Sequence, residues 1–90
     1  MTIIMENKCF EASVFRKKSV YEGCALVAHA IAFFTPNGNM EIYSPYPTEV
    51  ERDNVYENLC GELRRGKTIL DIPKSKDEEF NSLMKGKGLL

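Results

Sequence analysis

A chain of 90 residues is too short for two independent cores, so residues 1–90 read as a single domain. With 43% hydrophobic and 28% charged residues the composition is globular, which excludes an intrinsically disordered chain. Twelve basic residues against 13 acidic ones leave a formal net charge of -1, so no overall field draws the protein to nucleic acid or anionic lipid.

Met1 to Lys8 carries only the short apolar run Ile3, Ile4 and Met5, without the basic start and cleavage site of a signal peptide. No segment approaches the roughly 20 apolar residues of a membrane helix. Cys9, Cys24 and Cys60 are an odd number without motif spacing and read as free thiols. Together these features predict a cytoplasmic protein with no membrane partner.

From Cys9 to Arg16 the residues alternate, with Phe10, Ala12 and Val14 on one side and Glu11 and Ser13 on the other, which predicts a first strand. The polar stretch Arg16 to Ser19 suits a turn. Cys24 to Thr35 is apolar on every face, and its C-terminal neighbour Pro36-Asn37-Gly38-Asn39 decides its reading. Asn-Gly favours a type I′ hairpin turn, and the alternation of Met40 to Ser44 supplies the return strand. That register places Phe33 opposite Ile42 and Ala32 opposite Tyr43. Val27, His29, Ile31 and Phe33 then share one face, and Ala28, Ala30, Ala32 and Phe34 the other. A strand apolar on both sides needs cover on both sides.

Pro45 and Pro47 interrupt the sheet, and Thr48-Glu49-Val50-Glu51 has the capping-box pattern of a helix start. Val55, Tyr56, Leu59, Cys60 and Leu63 form one apolar stripe, with acidic residues at the start and Arg64, Arg65 and Lys67 near the end. A main helix over about 48–65 follows, ended by Gly66. Thr68 to Ile72 suits a short edge strand or a packed loop, closed by Pro73. Ser75-Lys76-Asp77-Glu78 repeats the capping pattern before a short helix over about 76–85, and residues 86–90 read as a frayed tail. The predicted fold is α+β: a three-stranded antiparallel meander, with a fourth short strand as a further element, packed by one main and one short helix.

The chemistry-bearing residues are few. Cys24 and His29 lie five apart, on opposite faces of a strand, and no C-x-x-C pair, H-E-x-x-H, G-x-S-x-G or Walker-type loop is present. His29 reads as a buried, neutral, hydrogen-bonded imidazole, and the cysteines as buried small apolar residues. Glu49, Glu51, Asp53, Glu57 and Glu62 are accounted for by capping, the helix dipole and a solvated face. No catalytic residue, metal or cofactor is expected.

Two groups remain. Tyr43-Ser44-Pro45-Tyr46-Pro47 holds two tyrosines on a stiff frame, and with Phe34 and the small residues Ala28, Ala30 and Ala32 it nominates a protein-interaction surface. Arg16, Lys17 and Lys18 with Arg64, Arg65 and Lys67 would make an anion or single-stranded nucleic-acid patch if the fold joined them. The leading expectation is a non-enzymatic regulator or inhibitor that occludes a partner protein, of the kind a phage encodes against a host enzyme or defence complex. A nucleic-acid-binding or nucleic-acid-competing module is the alternative. A homodimer through the alanine face is expected if the chain's own helices leave that face open.

Overall fold

The computed structural model describes residues 1–38 and 40–90. In chain order the elements are β1 (Thr2–Met5), β2 (Lys8–Glu11), β3 (Val14–Glu22), β4 (Ala25–Phe34), β5 (Glu41–Tyr46), α1 (Glu49–Arg64), β6 (Ile69–Asp71) and α2 (Glu78–Gly86). The α+β fold and the antiparallel meander β3-β4-β5 are as expected. The short strand after α1 is also present, but it belongs to a second sheet, ordered β2-β1-β6, in which β1 runs antiparallel to β2 and parallel to β6.

The expected first strand over 9–16 is in fact the end of one strand and the start of another. The chain changes sheets between them: the Ala12 N–H donates to the Met1 carbonyl beside β1, and the Ser13 N–H donates to the Phe34 carbonyl of β4. Alternation continues through the switch, which hides it. Ile3, in a run too short to read as a strand, is fully buried at the centre of the small sheet. Arg16 to Ser19 is not a turn but the middle of β3, an edge strand whose cations discourage pairing with other chains. The chain reverses later, at Gly23, whose φ of 62° is left-handed.

The β4–β5 register is the expected one, Phe33 to Ile42 and Ala32 to Tyr43, but the turn type differs. The Gly38 N–H closes on the Thr35 carbonyl at 2.9 Å with Pro36 in between. Gly38 has a positive φ of 72° and Asn37 does not, so the type I′ geometry is absent. Asn39, the last residue of that turn signal, lies outside the described residues.

Helix α1 starts as expected, the Thr48 hydroxyl accepting the Glu51 N–H at 3.1 Å. The Glu51 carboxylate does not close a box on Thr48. It crosses to the Ser75 hydroxyl at 2.8 Å and the Lys76 N–H at 3.1 Å. Ser75, thus engaged, is not the cap of α2; Asp77 is, accepting the Phe80 N–H at 3.0 Å. After residue 86, where a frayed tail is expected, the backbone makes further bonds. The Leu89 N–H donates to the Met84 carbonyl at 2.9 Å across Gly88, whose φ is 76°.

The two faces of β4 have different covers. On one side α1 lays Val55, Tyr56, Leu59, Cys60 and Leu63 against Phe15, Ile31, Phe33 and Tyr46, and this cluster runs on into Ile3, Leu70 and Ile72 of the small sheet. On the other side Ala28, Ala30 and Ala32 are no more than 1% exposed. Methyl groups alone cannot shield a strand. The ring of Tyr43 stands here with the Lys18 ammonium 5.1 Å from its centre, and Arg16 stacks on Phe34 at 4.9 Å. Helix α2 is tied to this sheet at one end. Its Met84 is fully buried outside the α1 cluster, and Lys87, just past its end, clasps Glu22 at the end of β3 at 2.7 Å.

Candidate functional site: a groove between helix α1 and edge strand β6

Burial withdraws several of the residues expected at a surface. Ala28, Ala30 and Ala32 are core within the single chain and leave no open alanine face for a second copy. Tyr46 is 0% exposed; its hydroxyl donates to the Pro73 carbonyl at 2.5 Å and accepts from Ser44 at 2.9 Å. Burial pushes its phenol up to about 12. Phe34 and Tyr43 are half-buried under Arg16 and Lys18. The Tyr43 hydroxyl accepts from the Lys18 ammonium, which also binds Glu41 at 2.8 Å. That contact holds Lys18 above the usual lysine range and Glu41 below the usual carboxylate range.

The basic residues are not brought together. Strand alternation sends Arg16 and Lys18 to the α2 side and Lys17 to the α1 side, where Lys17 pairs with Asp53 at 3.2 Å and stands over Tyr56. Arg64, Arg65 and Lys67 sit at the far end of α1, about 16 Å beyond Asp53 at the helical rise. Glu62 takes Lys67 at 2.7 Å and Arg65 at 3.5 Å, which depresses its own carboxyl. Most of this charge is answered within the chain.

His29 is half-buried and its Nδ1 is buried without a partner among the described residues, so the expected hydrogen bond is missing at that nitrogen. Cys9 and Cys24 are exposed, on β2 and at the β3–β4 turn, where a buried apolar role had been expected; Cys60 is half-buried on α1. Among the described residues no three His, Cys, Asp or Glu side chains are grouped to hold a metal ion. No helix among them is long and apolar enough to cross a membrane.

What sequence reading missed is a groove along α1. One cavity of about 270 Å³ lies between Val55, Asn58 and Leu59 of the helix and Ile69, Leu70 and Asp71 of β6. A second, of about 470 Å³, continues from Val55, Asn58 and Pro73 toward Val50 and Asn54 at the helix start. Val50 at 71% exposed and Ile69 at 57% are two of the most exposed large apolar side chains among the described residues, and both line this path.

The polar groups along the groove are unspent. The Thr68 carbonyl accepts from the Thr2 N–H, and the Ile72 N–H donates to the Ile4 carbonyl. In a parallel ladder those bonds turn residues 68, 70 and 72 toward β1, so the N–H and C=O of Ile69 and Asp71 point outward, with no further strand beyond them among the described residues. On the opposite wall Asn54 and Asn58 are exposed, one helical turn apart, and their amides make no hydrogen bond within the described structure. The only sequence signal for this site was a pair of asparagines at i and i+4 outside the apolar stripe, too weak to find it alone.

Comparison with protein-family models, with curated proteins and with solved structures returned no match, so the geometry of this groove is what the functional reading rests on.

Proposed function

We propose that the protein is a non-enzymatic, protein-binding regulator that captures an extended segment of its partner in the α1–β6 groove. One observation carries the reading: both walls offer unused hydrogen-bonding groups at the repeat of an extended chain. Ile69 and Asp71 are two strand residues apart, about 6.6 Å, and Asn54 and Asn58 are four helix residues apart, about 6 Å. An extended peptide presents main-chain groups on each edge every second residue, so it can add a strand to β6 and meet the asparagine amides with its other edge. Its side chains at alternate positions would rest on Val55, Pro73 and the exposed Ile69 and Val50.

The experiment is selection of linear peptides from a random library against the whole chain, with binders mapped by amide chemical shifts. Bound peptides are expected to shift and protect the Ile69 and Asp71 amides. Ile69→Pro removes one outward donor while leaving the β1 ladder intact, and edge strands tolerate proline there. It should weaken binding at least tenfold, as should Asn58→Ala in a chain that remains folded by circular dichroism. Selected peptides that map elsewhere, or that bind both variants as tightly as the parent, would overturn the reading.

A further inference from the structure

We infer that a second site, a cleft between the β1–β2 turn, β5 and the end of α2, binds a phosphate monoester carrying an apolar group. The cleft measures about 190 Å³ and meets the α1 groove only at Lys74, which lines both. Lys8, Lys74 and Lys85 all line it, each from a different part of the chain. The protein has eight lysines. Lys17, Lys18, Lys67, Lys74 and Lys87 are ion-paired, whereas Lys8, Lys76 and Lys85 have no acidic partner among the described residues. Two of the three unanswered ammonium groups therefore face one cavity. In a molecule that pairs most of its cations, that is where an anion is missing.

The charge and the walls specify the anion. Glu6, 3.2 Å from Lys74, is the one acidic side chain lining the cleft, and with the terminal carboxylate of Leu90 it sets two carboxylates against three ammonium groups, of which Lys8 and Lys85 are in no ion pair among the described residues. Two unpaired ammonium groups, Lys8 and Lys85, match a phosphate monoester, which carries about -1.5 to -2 at neutral pH, better than a carboxylate. The cations are lysines, compact point charges that suit a tetrahedral oxyanion; no arginine fork is present to select a planar one. The Tyr43 hydroxyl, which accepts from Lys18 and hydrogen-bonds the Glu41 carboxylate, lies on the same lining. Beside the polar Asn7 and Ser44, the residues Met5, Ile72, Tyr43 and Leu90 give the wall an apolar part, which offers an aryl or alkyl group a surface that inorganic phosphate cannot use.

The test uses the full chain and phenyl phosphate, followed by amide chemical shifts and calorimetry, with benzoate and inorganic phosphate as comparison probes. Phenyl phosphate is expected to shift residues 5–8, 43, 72–74 and 85, and to bind at least tenfold more tightly than either comparison probe. The double change Lys8→Gln with Lys85→Gln alters two exposed side chains and should cost at least tenfold in affinity with the thermal midpoint unchanged. Three results would overturn the inference: no binding of phenyl phosphate, equal binding of benzoate, or an affinity indifferent to the double change. None of these bears on the α1 groove, where Ile69→Pro should leave phenyl phosphate binding untouched.

Discussion

On the α1 side of strand β4 the chain stacks rings and branched side chains, and on the α2 side it stacks methyl groups. Phe15, Phe33 and Tyr56 are linked by ring contacts of 5.6 Å and 5.4 Å, with Phe10 closing on Phe33 at 6.1 Å from the other sheet. Across the strand Ala28, Ala30 and Ala32 are buried, with Arg16 and Lys18 stems and half-buried aromatic rings at the margin and the nine-residue α2 as the candidate cover. The difference separates two ways of excluding water. Large side chains bury most apolar area per residue and interlock, so the α1 side should carry most of the stability. Small side chains admit a close helix but contribute little area themselves, so the α2 side should be the first to open.

The largest expected effect follows from removing a ring on the α1 side. Phe33 is fully buried and touches both Phe10 and Phe15, so it joins the two sheets. Phe33→Ala should cost about 3–5 kcal/mol, read from urea unfolding, because a cavity at a junction of two sheets and a helix cannot collapse easily. A loss below about 1 kcal/mol would show that the α1 side is not the stronger one.

Next comes a dependence on pH that the α1 side alone should show. The folded Tyr46 phenol is raised from 10.0 to about 12 by burial, so the folded state holds its proton after the unfolded state has released it. The sign follows: the neutral phenol's contribution is intact below about pH 10 and is lost as pH rises from there through about 12. Two pK units correspond to roughly 3 kcal/mol. Tyr46→Phe should start lower, having lost its bonds to Ser44 and Pro73, and should decline less steeply over that range. Parallel alkaline declines for the two proteins would remove Tyr46 as the cause.

The same comparison explains what could be read from the sequence. The α1 stripe was legible because its five apolar positions repeat at helical spacing, and the β4–β5 register because parity fixes it whichever turn joins the strands. The alanines were legible as a face in need of cover, but not as covered. The contact that ties the end of α2 to this sheet, Lys87 to Glu22, joins residues 65 apart in sequence. Ser75 and Glu51 defeated local reasoning in the same way: each matches a capping box of its own, and they bind each other instead. The small sheet was missed because its central strand has only four residues and its parallel partner arrives 67 positions later. The candidate groove was the least legible feature, since what marks it is the set of main-chain and amide groups left unbonded, and only the assembled ladder reveals which those are.

The smallest effect tests whether α2 is the second cover. Ala30 is fully buried, paired across the sheet with Lys18 on one side and Pro45 on the other. Ala30→Leu adds three carbons to a space sized for a methyl group and should cost about 1–3 kcal/mol through overpacking. The location of the response is more telling than its size. Pushed outward, α2 should lose its clasp on Glu22, and the amides of residues 78–86 should exchange with solvent faster while those of α1 keep their protection. Faster exchange in both helices alike would mean that the two sides of β4 open as one unit. An undisturbed α2 would mean that the long stems of Arg16 and Lys18, and not the helix, close the alanine face.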